Sequence, residues 1–104
     1  MPKYVLAYHG GSMPESPSAQ AEAMAAWGAW FGSLGDVVID GGNPTGESKT
    51  ITASGSVTKG GGTNPLSGYS LINAKSLDDA VEKVKGCPIL KVGGSIEVAE
   101  TIDM

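Results

Sequence analysis

The chain carries one cysteine, Cys87, and one histidine, His9, among its 104 residues. A lone thiol closes no intrachain disulfide, and with a single imidazole it makes no Cys/His zinc set. This scarcity points to a reducing, cytoplasmic setting with no metal and no cofactor. Basic side chains are also few, 7 against 11 acidic ones, for a net charge of −4. A chain of that sign repels phosphate-rich surfaces overall, which argues against nucleic acid and anionic membrane as partners. No apolar run approaches the ~20 residues of a membrane span. Met1-Pro2-Lys3 leads into a short strand-like run rather than the regions of a signal peptide. At this length a single domain, residues 1–104, is expected, with one core and stability to gain from a partner subunit.

Residues 3–8, Lys-Tyr-Val-Leu-Ala-Tyr, mix aromatic and β-branched side chains without a breaker and predict a strand covered on both faces, ended by Gly10-Gly11. Ser16-Pro17 is an N-cap followed by proline at the first helical position, which opens a helix to about Leu34. Within it Met24, Trp27, Phe31 and Leu34 follow helical spacing, with Trp30 beside them. A second row, Ala21, Ala25, Gly28 and Gly32, is small throughout. Interior glycines cost roughly 1 kcal/mol each relative to alanine, so close approach by another backbone, in the sheet or in a second subunit, is expected there.

"DVVID", residues 36–40, reads as a strand, and Gly41-Gly42-Asn43-Pro44 as a turn. "SKTITASG" suggests a further strand or hairpin arm, residues 55–62 a loop, and "GYSLINA", residues 68–74, a strand. Ser76 caps a second helix, with Asp78 and Asp79 in the first turn and Lys83 and Lys85 near the end, as the helix dipole favours. Leu77, Ala80, Val81 and Val84 form its apolar face, Gly86 and Pro88 end it, and residues 95–101 alternate as a last strand. This order is the α+β, ferredoxin-like βαββαβ plan with an extra hairpin arm, its two helices on one face of an antiparallel sheet. The other face would lie open to water, so a homodimer with facing sheets is expected.

The opening "MPKYVLAYHGG", then "GDVVIDGGNP", "GYSLINAKSLDDAVEKVKGCP" and "GGSIEVAET" resemble the YCII-related proteins, including the DGPF-domain group, over nearly the whole length. The resemblance implies that two ferredoxin-like subunits pair as a dimeric α+β barrel. It also implies a His-Asp pair proposed for some members, which would fall near Ala25 and at Cys87 before Pro88, and which this chain lacks. In place of the DGPF tetrapeptide stand Lys59-Gly60-Gly61-Gly62 and Asn64-Pro65-Leu66. The family's activity is largely unassigned.

Catalytic candidates must therefore come from other residues. His9 ends the first strand beside Gly10-Gly11, where a side chain that titrates near neutrality suits acid-base work. Asp40 ends "DVVID"; if the two strand ends share a rim, its carboxylate would orient the imidazole. Against this, aspartate before glycine usually bonds its own turn. Trp27 and Trp30 offer walls for a planar or apolar molecule, with Tyr8 and Asn43 as polar neighbours, although helical spacing favours the core for at least one tryptophan. Gly60-Gly61-Gly62 lacks the Gly-Lys-Ser/Thr and the following helix of a phosphate loop. The favoured expectation is a small-ligand-binding homodimer. The alternative is a lyase or isomerase with His9 as base, Asp40 as its partner and Tyr8 as proton donor.

Overall fold

The aromatic and β-branched run at the start of the chain becomes β1 (Lys3–His9), which turns Tyr4, Leu6 and Tyr8 inward. In the computed structural model, which describes residues 1–12 and 14–104, it is followed by α1 (Pro17–Leu34), β2 (Val38–Asp40), β3 (Lys49–Ile51) and β4 (Val57–Lys59), then β5 (Leu66–Asn73), α2 (Leu77–Val84) and β6 (Ser95–Glu100). The fold is mixed α+β. Its four-stranded sheet has the order β2-β5-β1-β6, antiparallel at every junction. β1 pairs with β6 without a break from Tyr4↔Glu100 to His9↔Ser95. Its pairing with β5 slips after Tyr8↔Gly68, so that His9 opposes Leu66.

The core is one layer deep. Tyr4, Leu6 and Tyr8 of β1 and Ile72 of β5 meet Trp30 of α1 and Ala80 and Val84 of α2. Leu6 and Ile72 are fully buried, and each contributes roughly 1.5–3 kcal/mol. The opposite face of β1, Val5, Ala7 and His9, is only half-buried in the single chain, so the expected cover on both faces is incomplete.

Ser16 caps α1 as its sequence predicts: its backbone is extended, and its Oγ accepts from the Ala19 N–H at 3.1 Å. Gly35, at φ 64°, ends the helix. Trp30 goes inward and its indole N–H donates to the Lys83 carbonyl at 3.2 Å, tying α1 to α2. Met24 stays 76 % exposed, outside the aromatic row it shares by spacing. A Cβ at Gly28 or Gly32 would meet nothing within 4 Å, so the sheet does not come close to the small-residue row. α2 starts with a reciprocal cap: Ser76 Oγ accepts from the Asp79 N–H at 3.1 Å, and Asp79 Oδ2 accepts from the Lys75 N–H at 2.9 Å. The Lys75 N–H, and then Lys83, hold the Asp79 carboxyl below its usual range. Leu77 and Val81 remain exposed on the helix face that Ala80 and Val84 bury.

Three stretches differ from the sequence reading. Residues 35–37 form a 3-10 turn, which shortens the strand in "DVVID" to three residues. The stretch read as a loop contains β4, which pairs with β3 as a separate ribbon. A 3-10 turn at Pro88–Val92 follows α2. All six residues of the β3–β4 ribbon are exposed. The molecule measures 42 × 42 × 18 Å, and its radius of gyration is 14.9 Å, against ~13 Å for a compact chain of about this length.

Candidate functional site

The inward alternation of β1 ends on Tyr8, opposite Gly68 of β5. Because Gly68 has no side chain, the Asn43–Pro44 segment settles onto it, bridged to the sheet at Pro44. A Cβ there would stand 3.1 Å from the Asn43 carbonyl oxygen and 3.3 Å from the Tyr8 ring. Gly42, at φ 71°, brings the same segment against Tyr69, and any Cβ would run into the Tyr69 carbonyl oxygen. Between this segment, α1 from Ala19 to Phe31 and the Pro88–Val92 turn opens a cleft of about 1300 Å³.

Its lining is mostly apolar and aromatic, with Tyr8, Trp27, Phe31, Ile89 and Val92, and its polar members include Asn43, Glu22 and Lys91. Trp27 meets Tyr8 edge-on, ring centroids 5.2 Å apart at 81°, and stacks obliquely with Phe31 at 5.9 Å. These contacts fix the angle of the indole face. Asn43 Nδ2 donates to the Tyr69 hydroxyl at 3.4 Å, and the Asn43 carbonyl accepts from the Tyr69 N–H at 3.3 Å.

Below the cleft floor the Tyr8 hydroxyl donates to Ser70 Oγ at 2.8 Å, and Ser70 Oγ donates to the Gly41 carbonyl at 2.7 Å. Ser70 is fully buried, so this relay satisfies two buried hydroxyls and anchors the glycine turn. Burial pushes the Tyr8 phenol up to about 12, against the opposing pull of the Ser70 hydrogen bond and with a further push from Cys87. A phenol so held stays protonated across the neutral range, with its proton directed to Ser70, which does not suit the proton-donor role. Burial likewise pushes the Cys87 thiol up to about 11, which makes it a poor nucleophile.

Of the sequence candidates, Tyr8, Trp27 and Asn43 meet at the cleft. Trp30 does not: it is buried and its N–H is used by Lys83, so it belongs to the core rather than to a ligand wall. His9 and Asp40 do not form a pair. His9 opposes Leu66 on β5 and Asp40 opposes Leu71, which separates them by about 16 Å along that strand at ~3.3 Å per residue. Asp40 Oδ1 accepts from the Gly42 N–H at 2.8 Å and so closes its own turn.

The alternation of β1 sends His9 to the sheet face away from the cleft. Its Nδ1 lies 3.1 Å from the Asn64 carbonyl, which can only accept, so that nitrogen carries the proton. Its Nε2 is enclosed without a hydrogen-bond partner, and the nearest carboxylate oxygen, on Glu97, is 3.7 Å away, beyond hydrogen-bond length. Among the described residues no three His, Cys, Asp or Glu side chains gather into a metal-binding group, and no helix is long and apolar enough to cross a membrane.

Sequence reasoning missed Ser70, Gly42, Gly68 and the Ile89–Val92 wall. Ser70 carried a signal, since it is a polar residue in the inward register of "GYSLIN". No protein-family model matches the chain, and no curated protein or solved structure matches it either.

Proposed function

We propose that the protein is a binding domain for a small, largely apolar organic molecule, held in the Tyr8–Trp27–Phe31 cleft and oriented by the Asn43 amide. The observation that carries this reading is a cleft with an aromatic and mostly apolar lining, in which the Asn43 amide is held on Tyr69. Clefts of that character are the usual sites for small ligands. The lyase or isomerase alternative has lost its geometric support, because His9 and Asp40 lie on separate parts of the sheet.

The same reading takes the domain as a ferredoxin-like unit of the YCII-related kind, acting as a homodimer in the cytoplasm. The strand order β2-β5-β1-β6 supports it, as do the half-buried Val5, Ala7 and Leu71 on the sheet face away from the helices. The net charge of −4 speaks against nucleic acid and anionic membrane as partners.

The experiment is a thermal-shift and tryptophan-fluorescence screen of small aromatic and aliphatic acids, ketones and alcohols. A true ligand at one hundred times its Kd stabilises the fold by about 2.7 kcal/mol. It also shifts the Trp27 emission, and both effects disappear in Trp27→Ala. A stabilising ligand that still binds Trp27→Ala unchanged, or a screen with no saturable response, overturns the cleft as the site.

A further inference from the structure

His9 points away from the cleft, yet three parts of the chain meet at its ring. Its side chain is only 15 % exposed. It ends β1 where the pairing with β5 slips, and a slipped ladder gives the backbone less hold. Asn64, whose carbonyl accepts from His9 Nδ1, lies in the turn between β4 and β5. That turn opens on Gly60-Gly61-Gly62, a run with little stiffness of its own. On the other side β6 sets Ser95 opposite His9 and Glu97 opposite Ala7. His9 and Glu97 are therefore diagonal neighbours on one sheet face, within reach of a long side chain.

The two protonation states of the imidazole hold different partners. With Nδ1–H committed to the Asn64 carbonyl, neutral His9 keeps its lone pair on Nε2. That atom is enclosed, has no hydrogen-bond partner among the described residues, and faces the Glu97 carboxylate at 3.7 Å. Two acceptors confront each other, and neither donates. A second proton has only Nε2 to enter, and there it turns the same contact into a charged donor against a carboxylate. Glu97 is 74 % exposed, so it is free to close in to the ~2.8 Å of a charge-assisted hydrogen bond. The Asn64 bond strengthens with it, because its donor becomes charged.

The remaining ionisable groups around the ring do not compete. Tyr69 of β5 stands opposite Ala7, and its hydroxyl accepts from Asn43. Lys3 is at the far end of β1, roughly 20 Å away at ~3.3 Å per residue, beyond the ~8 Å over which exposed charges act. Residues 61–65 and 93–95 carry no ionisable side chain, and Lys91 of the Pro88–Val92 turn lines the cleft instead.

We infer that His9 is a proton-operated latch: on gaining its second proton it bonds Glu97 through Nε2 while keeping Asn64 on Nδ1, and so ties β6, the end of β1 and the β4–β5 turn together. Histidine changes charge between pH ~5 and ~8, so the latch closes and opens across the neutral range. The closed latch holds a proton that the unfolded chain releases, and it adds stability at the acid end of that range and none at the alkaline end. Gly10 and Gly11, next after His9, and Leu66 and Ser67, next after the turn, line the cleft. Closing the latch therefore stiffens two of the cleft walls. The device stands whatever the cleft binds.

The test is urea unfolding of wild type, His9→Ala, Glu97→Ala and the double variant at pH ~5.5 and pH ~8, at one fixed protein concentration, read as a double-mutant cycle. At the lower pH the pair should be coupled about threefold in the unfolding constant, the scale of a partly exposed ion pair. At the higher pH the coupling should vanish. Nitrogen NMR of the single imidazole in the wild-type protein does not depend on how the variants fold. It should show the Nδ1–H tautomer at the higher pH, and at the lower pH an Nε2 proton slow to exchange, which Glu97→Ala makes fast. An Nε2–H tautomer at the higher pH overturns the latch, as does a coupling that is equal at both pH values or absent at the lower one.

Discussion

Tyr8 and Ser70 give the most direct test of how the cleft floor is built. Tyr8→Phe removes a hydroxyl that is 4 % exposed as part of its residue but leaves Ser70 donating to Gly41. The loss is one buried hydrogen bond, about 1 kcal/mol. Ser70→Ala takes away the acceptor of the Tyr8 O–H and leaves a buried donor unpaired. That costs about 2 kcal/mol, since an orphaned buried donor is more costly than a bond lost as a pair. The double variant leaves no unpaired hydroxyl, only the Gly41 carbonyl without its Ser70 donor, and should cost about 1.5 kcal/mol, well short of the summed ~3, with a coupling energy above 1 kcal/mol. The assay is urea unfolding of the four proteins at one fixed concentration, because association shifts apparent stability. The m-value should stay constant. In thermal melts Tyr8→Phe should lower Tm by roughly 4–8 °C. Additive single and double changes, or a Ser70→Ala cost no larger than that of Tyr8→Phe, refute the relay.

Gly42→Ala should destabilise by about 1–3 kcal/mol, as expected for a side chain forced into a left-handed backbone, because φ is 71° and the new Cβ meets the Tyr69 carbonyl. Gly28→Ala, in open helix surface, should instead stabilise by about 0.5–1 kcal/mol; parallel denaturant melts compare the two. Trp30→Ala should cost about 3–5 kcal/mol and loosen α1 from α2, read as faster amide exchange in both helices. In alkali, Cys87 and Tyr8 have folded pKa values of about 11 and about 12, above their reference values of 9.0 and 10.0. Their neutral forms are favoured by folding, so this contribution is complete below pH ~9 and is lost as pH rises through 11 and 12. Cys87→Ala should remove the earlier part of that decline in a pH series of melts. In acid the sign reverses for Asp79, whose folded pKa lies below 3.8. Its contribution is present above that value and lost as pH falls beneath it, so Asp79→Asn should flatten the acid limb.

The elements that a periodic pattern or a cap can announce were legible. A breaker-free aromatic and β-branched run marked β1, alternation marked β6, Ser16-Pro17 marked the start of α1, and Ser76 with Asp79 marked α2. β4 was hidden because its three residues, Val57–Lys59, are bounded by glycines and pair only with the equally short β3. At the site, helical spacing put Trp27 and Trp30 together but could not tell a cleft wall from a core anchor, which depends on where α2 ends. The proposed His9–Asp40 contact failed for a reason of register. Both residues end strands, yet β5 lies between those strands and pairs with them at different heights. The Gly42 and Gly68 approaches were invisible because they depend on contacts more than 20 residues apart.

The central place of β1 also governs when the chain can fold. Its partners are β5 and β6, so the strand made earliest is completed by those made last. At ~5–20 residues per second of synthesis, β1 waits roughly 5–20 s for β6 to be made. For that interval Tyr-Val-Leu-Ala-Tyr, an uncharged strand-forming segment, is a sticky end with nothing to pair against. Folding on the ribosome should therefore be nearly all-or-none, and a nascent chain stalled before residue 95 should be a client for chaperones rather than a partly formed domain.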